Sequence, residues 1–298
     1  MNLSGVLTPI PTPFDEHGDL DTNRLQAALA RWLLTPLTGF VVLGSNGEAP
    51  LLDEQESDRV VAAARDAVPA GRTFIVGTGR ESTRAAIDAT RRAASLGAEA
   101  VLVRTPGFFK TQMTSGAFTR HYTAVADASP VPVLLYNFTA VTGVNLPVDA
   151  VGKLASHPNI VGMKESNGDV QRVADLVAAV PKGFTLLAGS AATFYEALRA
   201  GAAGGILALG SVLPEACVRL FELTAAGRHD EARALQQQIL PMAKLLGSLH
   251  GVPALKAALK LVGCDAGYPR SPLVPLDDRT VAEIAAALTP FEVHEPTP

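Results

Sequence analysis

Val131-Pro-Val-Leu-Leu-Tyr136 and, one helix further on, Ile160-Val-Gly-Met-Lys164 are the stretches that decide how this chain folds. Both are short and almost wholly apolar, and each closes on a single polar side chain. An apolar run without alternation marks a strand buried on both faces, as parallel strands covered by helices are. Working outward, the same unit recurs. Strands are expected at Gly5–Ile10, Gly39–Leu43, Thr73–Gly77, Ala100–Val103, Val131–Tyr136, Ile160–Lys164, Thr185–Ala188 and Gly205–Leu207. Helices are expected between them near 22–34, 53–67, 82–95, 115–127, 147–155, 169–179 and 191–200. Asp53 with Glu56 reads as a capping box and Ser82 as the next helix cap. Gly39, Gly97 and Gly201 read as glycines that end helices.

Eight such units in succession predict an α/β fold, a (β/α)8 TIM barrel, in preference to an open doubly wound sheet. Strand signals stop after about residue 212, and 214–226, 229–248, 252–262 and 278–288 all read as helices. The first completes the barrel. The chain therefore divides into a barrel over 1–226 that carries the active site and a helical C-terminal extension over 227–298. The Pro-rich tail after Phe291 reads as loose.

With 298 residues, 48% of them hydrophobic, the chain can bury a large core. A net charge of -4 supplies no basic stripe, so nucleic acid is not an expected partner. No apolar stretch is long enough for a membrane span. The N-terminus lacks a charged region followed by an apolar run, so no signal peptide is expected. A cytoplasmic protein follows, and Cys217 and Cys264, with no CxxC, fit a reducing compartment. Cys217 reads as a small buried hydrophobe.

In such a barrel, chemistry sits at the C-terminal ends of the strands. Those ends carry Thr8 to Thr12, Gly44-Ser-Asn-Gly-Glu48, Gly77-Thr-Gly79, Arg104-Thr-Pro106, Tyr136-Asn137, Lys164-Glu-Ser166 and Gly189-Ser190. Lys164 is the one lysine that closes a strand. Partial desolvation there favours the neutral amine, the form that attacks a carbonyl. Alternatively, Lys164 pairs with Glu165 in a strand-end salt bridge. Tyr136 closes the neighbouring strand, within reach of the lysine, where a phenol can shuttle protons. The turn Gly44-Ser-Asn-Gly-Glu48 offers backbone N–H groups and the Ser45 hydroxyl to a carboxylate, with Glu48 pinning the loop. Gly77-Thr-Gly79 lacks the third glycine of a dinucleotide fingerprint and reads as a sterically tight strand end. No HExxH, Walker A or His cluster appears, so neither a metal nor a diffusible cofactor is expected. The six histidines read as surface or packing residues.

These landmarks, with Thr105-Pro106, Thr142-Gly143, Gly162-Met-Lys164 and Ala188-Gly-Ser190, resemble the dihydrodipicolinate synthase/N-acetylneuraminate lyase superfamily of class I aldolases over nearly the whole chain. The resemblance implies a homotetramer built as a dimer of dimers and a Schiff base between Lys164 and pyruvate or another 2-oxo acid. It implies Tyr136 as the proton-transfer group, Ser45 and Asn46 binding the substrate carboxylate and relaying protons, with Ser45 catalytic, and the Ile206 carbonyl facing the substrate. His157-Pro-Asn-Ile-Val-Gly-Met-Lys164, Gly168-Asp-Val170 and Leu187-Ala-Gly-Ser-Ala191 resemble the branch of 4-hydroxy-2-oxoglutarate aldolases, where Ser166 also matches a polar position.

Two residues depart from the superfamily. Where the synthase branch has an arginine for the distal carboxylate, this chain has Val141, which cannot make that bidentate contact. Phe109 stands where a tyrosine usually reaches into a neighbouring subunit's site. The expected activity is retro-aldol cleavage of a 4-hydroxy-2-oxo acid, such as 4-hydroxy-2-oxoglutarate or a 2-oxo-3-deoxy sugar acid, to pyruvate and an aldehyde. Val141, Thr139, Phe109 and Phe138 are expected to line the distal pocket. The alternatives are 4-hydroxy-tetrahydrodipicolinate (dihydrodipicolinate) synthase, a sugar-acid dehydratase and a non-catalytic barrel that binds a 2-oxo acid.

Overall fold

Eight parallel strands, each hydrogen-bonded to the next and the eighth to the first, close into a barrel. The structure is a computed structural model and describes residues 3–291. The expected reading of the tail after Phe291 falls outside them. Along the chain run β1 (Gly5–Pro9), α1 (Thr22–Trp32), β2 (Gly39–Val42), α2 (Glu54–Ala67), β3 (Thr73–Gly77), α3 (Thr83–Ser95), β4 (Ala100–Arg104) and α4 (Ser115–Ala128). There follow β5 (Val133–Asn137), α5 (Thr139–Thr142), α6 (Val148–Leu154), β6 (Ile160–Glu165), α7 (Val170–Ala179), β7 (Thr185–Ala188), α8 (Phe194–Arg199) and β8 (Gly204–Ile206). After the last strand come α9 (Leu209–Val212), α10 (Pro214–Ala225), α11 (His229–Lys244), α12 (Gly251–Leu261) and α13 (Asp278–Leu288). Every expected strand is present within a residue or two of its place. β5 begins at Val133 because Pro132 has no N–H to give the ladder.

The strands are buried on both faces, which explains their apolar runs. Leu7, Val41, Ile75, Ala100, Leu102, Leu134, Leu187 and Ile206 fill the barrel. The alternate residues face the helix layer, where Phe40, Phe74, Val101, Val103 and Met163 pack. Local caps fall as expected. Asp53 and Glu56 form the capping box of α2, and the Ser82 hydroxyl accepts from the Ala85 N–H. Gly97 and Gly201 take left-handed backbone, at φ 92° and 109°. Gly39 does not: it is the first residue of β2. Its role is close approach, since a Cβ there would lie 2.4 Å from the Thr73 carbonyl oxygen. Cys217 is fully buried, and burial pushes its thiol well above the ordinary range.

Beyond the barrel, α11 ends in a π-helical turn over Leu245–Leu249 rather than continuing to 248, and α12 starts at Gly251 with φ 57°. The extension is stitched to the barrel by polar contacts. The Arg31 guanidinium donates to the Gly263 carbonyl at 2.9 Å, and Lys256 reaches the Thr12 carbonyl at 2.7 Å. No described helix is long and apolar enough to cross a membrane.

Candidate active site

Strand register builds the site. Tyr136 on β5 is the Cα partner of Lys164 on β6, and both side chains turn into the barrel mouth. Alternation sends the next residue outward. Glu165 therefore faces away from Lys164 and meets Arg172 at 2.7 Å, while accepting from the Asn137 amide at 2.9 Å. The strand-end salt bridge between Lys164 and Glu165 is absent. Among the described residues no carboxylate lies within ion-pairing distance of the Lys164 amine, although only 5% of the residue is exposed. The Asn137–Glu165–Arg172 cluster instead braces the outer side of the β5 and β6 ends.

The contact between lysine and tyrosine differs from the expected one. The Lys164 amine lies over the Tyr136 ring, 4.5 Å from its centroid. The Tyr136 hydroxyl instead shares a hydrogen bond with the Ser45 hydroxyl at 3.1 Å. Lysine, tyrosine and serine thus form one connected group. The reason is that Ser45 opens a 3-10 turn, Ser45–Gly47, which places its hydroxyl over the end of β5.

That turn is held unusually firmly. Leu43 and Glu48 flank it in left-handed backbone, at φ 55° and 54°. Such strain costs of order 1–3 kcal/mol per non-glycine residue and persists only where the surroundings enforce it. Gly77 gives Leu43 the space, because a Cβ there would lie 1.9 Å from the Leu43 carbonyl oxygen. This is the tight strand end expected of Gly77-Thr-Gly79. Thr12 donates to the Gly47 carbonyl at 2.6 Å. Glu48 is 2% exposed and pairs with Lys256 of α12 at 2.6 Å. Its other oxygen accepts from the Arg270 N–H at 2.8 Å. Glu48 pins the loop as expected, and it does so through the C-terminal extension.

A cavity of about 460 Å³ opens over these residues. Ser45, Asn46, Tyr136, Lys164, Ser166, Val141 and Phe138 all face it. The Ser166 hydroxyl is buried and has no hydrogen-bond partner among the described residues, so it is free to meet a ligand. Gly189 completes the floor, and a Cβ there would stand 1.8 Å from the Ser166 hydroxyl oxygen and 2.9 Å from Lys164 Cε. Ile206 is fully buried in the barrel interior, and Ala208 forms the cavity wall on that side. Ile206, expected to face the substrate through its carbonyl, is not among the residues that line the cavity. Two expected lining residues are not on the wall. Thr139 opens α5, where its N–H is taken by the Asn167 side chain. Phe109 lies 69% exposed, stacked edge-on against Phe108 at 5.1 Å between ring centres.

One wall was not anticipated. Leu246, Gly247 and His250 to Pro253 of the extension close the cavity opposite the strands. His250 is therefore a residue of the mouth as well as a packing residue. Gly247 and Gly251, interrupting an otherwise helical run, are the signal that the chain bends there. Among the described residues no group of three or more His, Cys, Asp or Glu side chains is placed to hold a metal ion.

A closed barrel with a buried lysine beside a tyrosine at its mouth is the arrangement of a class I aldolase. The chain belongs to the dihydrodipicolinate synthetase family, whose model matches residues 2–290. It is 36% identical over 290 residues to a 4-hydroxy-tetrahydrodipicolinate synthase of Exiguobacterium sp., covering 97% of this chain and 98% of that one. It is also 37% identical over 292 residues to a probable mitochondrial 4-hydroxy-2-oxoglutarate aldolase of Emericella nidulans, covering 96% and 94%. Among solved structures, the dihydrodipicolinate synthase of Thermotoga maritima superposes with a TM-score of 0.92 at 29% identity, over 98% of this chain and 99% of that one. The chloride-inhibited enzyme of Acinetobacter baumannii, complexed with pyruvate, gives 0.92 at 30% identity, over 97% and 98%. This protein is accordingly a pyruvate-dependent lyase of the Schiff-base aldolase type.

Proposed function

We propose that the protein cleaves a 4-hydroxy-2-oxo acid, with 4-hydroxy-2-oxoglutarate as the leading candidate, to pyruvate and an aldehyde, using Lys164 as the amine. The observation that carries this reading is the connected group of Lys164, Tyr136 and Ser45 on the floor of the cavity. The Lys164 amine attacks the C2 carbonyl, and loss of water leaves an iminium. Tyr136 takes the proton of the C4 hydroxyl as the C3–C4 bond breaks. The bonding electrons pass to the iminium, giving an enamine and releasing the aldehyde. Protonation at C3 and hydrolysis then free pyruvate and restore the amine. Ser45, linked to Tyr136, relays the proton, and Ser45 and Asn46 hold the C1 carboxylate. Ser166 lies beside the lysine with an unused hydroxyl for the same carboxylate. Neither a metal nor a diffusible cofactor takes part in this scheme.

The second reading is 4-hydroxy-tetrahydrodipicolinate synthesis, supported by the identity to several synthases. Val141, half exposed on the cavity wall, weighs against it, because the branch it would join uses an arginine there. A sugar-acid dehydratase would use the same imine. A non-catalytic binder is the reading that Phe109 alone would favour. We further infer a cytoplasmic homotetramer, for which the exposed Phe108–Phe109 pair supplies apolar contact surface; light scattering measures this directly. The division into a barrel over 1–226 and an extension over 227–298 is one of architecture, since both line the cavity. Turnover coupled to lactate dehydrogenase tests the main reading. Pyruvate released from 4-hydroxy-2-oxoglutarate at a kcat/KM at least tenfold above that for 2-oxo-3-deoxy sugar acids is the expected result. Consumption of pyruvate with aspartate semialdehyde, and no release from the 4-hydroxy acids, would install the synthase instead.

A further inference from the structure

We infer that Arg104 binds a second carboxylate on the substrate, at the end of the molecule remote from the carbon that joins Lys164; this rests on the aldolase reading above. The strand face locates it. On β4 the residues that turn into the barrel are Ala100 and Leu102, so Arg104 is the next on that face. It is the Cα partner of Tyr136, which is in turn the partner of Lys164. Arginine, tyrosine and lysine occupy neighbouring strands in one layer at the mouth. An arginine on a face that is otherwise apolar needs a use, and its side chain lines the cavity. Besides Lys164 it is the only lysine or arginine among the described residues on that wall.

The guanidinium is held from one side. Nη1 donates to Glu81 at 2.7 Å and to the Thr105 carbonyl at 3.2 Å. The other Glu81 oxygen accepts from the Gly107 and Phe108 N–H groups at 3.0 and 2.9 Å. Burial alone raises the Glu81 pKa, but the Phe108 N–H, Arg104 and the Gly107 N–H outweigh it and keep the carboxyl below its usual range. Glu81 is thus an ionised brace that fixes the arginine. Among the described residues, Nε and Nη2 make no hydrogen bond. That leaves donors on a positioned fork, the form in which arginine binds carboxylates best.

Spacing suits a short dicarboxylate. Arg104 and Lys164 are two strands apart, about 10 Å between backbones at ~4.8 Å per strand. In a five-carbon 2-oxo acid joined at C2, the C5 carboxyl carbon lies roughly 4 Å from C2. The two side chains bridge the remainder from opposite sides. The Glu48 carboxylate on the same wall does not repel such a ligand, because Lys256 neutralises it. The arginine also accounts for how a site with Val141 can still choose an acid with two carboxylates. A neutral polyol tail would leave the free Nε and Nη2 donors without a carboxylate to accept from them.

The test is calorimetric binding of 2-oxoglutarate and 2-oxopentanoate, which differ in carrying a carboxylate or a methyl at C5. The full-length wild type, R104Q and R104K are compared. The wild type is expected to favour 2-oxoglutarate by at least about tenfold. R104Q is expected to lose that preference through weaker 2-oxoglutarate binding, with 2-oxopentanoate affected far less, and R104K to keep part of it. A wild type that does not distinguish the two acids, or an R104Q that keeps the preference, overturns the assignment. So does an equal loss for both acids in R104Q and R104K, which would make Arg104 only a brace. Borohydride trapping of pyruvate on the same proteins reports separately on the lysine. Failure there in the wild type removes the aldolase reading, whereas failure of the binding preference removes only the role of Arg104.

Discussion

Replacing Lys256 with Met should destabilise the protein by about 4 kcal/mol, from a residue in a helix outside the barrel. Lys256 and Glu48 side chains are 2% and 1% exposed, with nitrogen and oxygen 2.6 Å apart. The lysine also donates to the Thr12 carbonyl at 2.7 Å and the Tyr268 carbonyl at 2.5 Å, and sits over the Phe14 ring. Burial lowers its pKa, and Glu48 only partly restores it. Removing one partner of a buried pair strands the other charge, at a cost of about 3–5 kcal/mol. The two carbonyls would each lose a donor, worth about 1 kcal/mol net, and methionine packing offsets part of that. Removing both charges, in Lys256→Met with Glu48→Gln, should bring the loss back to about 1–2 kcal/mol. Urea unfolding of the single and double variants at one protein concentration is the assay. A single-variant loss below about 1 kcal/mol, or a double variant no better than the single one, would show that the pair is not a buried ion pair of this kind.

Three further outcomes are expected. Tyr136→Phe deletes the hydroxyl bonded to Ser45 and should lower kcat by about 10²- to 10⁴-fold, with pyruvate still trapped on the lysine; a loss under fivefold would move the proton transfer elsewhere. Gly189→Ala should reduce borohydride trapping at least tenfold, because its Cβ would meet Ser166 and Lys164 Cε; undiminished trapping would show that the floor has room to spare. His121 is buried between α3 and α4, sharing a hydrogen bond with Thr83 at 2.9 Å, and burial lowers its pKa to about 4. Its folded value is below the unfolded one, so the stability it protects is full above pH ~6.5 and is lost as pH falls toward 4. The loss reaches about 3 kcal/mol over that window. His121→Gln should flatten the slope of unfolding free energy against pH there by about 1.4 kcal/mol per unit, and an unchanged slope would contradict the buried neutral imidazole.

The barrel was legible because parallel strands covered on both sides leave a mark that no surface residue blurs. Val131 to Tyr136 and Ile160 to Lys164 carried it, and the polar residue closing each run marked the mouth. What stayed hidden depended on direction and distance. Whether Glu165 pairs with Lys164 turns on the strand's alternation, which an unbroken apolar run does not display. Arg104 looked like one more strand end until the faces of β4 were assigned. Lys256 reads as an ordinary helix lysine because its partner, Glu48, lies far away in sequence. Gly39 followed a helix, as a cap does, but the neighbouring backbone at Thr73 is what demands it. The wall contributed by the extension followed from a π-helical turn and Gly251, features too local for helical periodicity to register.

The most direct test of the central claim is borohydride reduction in the presence of pyruvate, read by intact mass and peptide mapping. The account predicts one stable adduct, on Lys164, that is absent from Lys164→Ala. No adduct on folded protein at saturating pyruvate, or an adduct on another lysine, would contradict it.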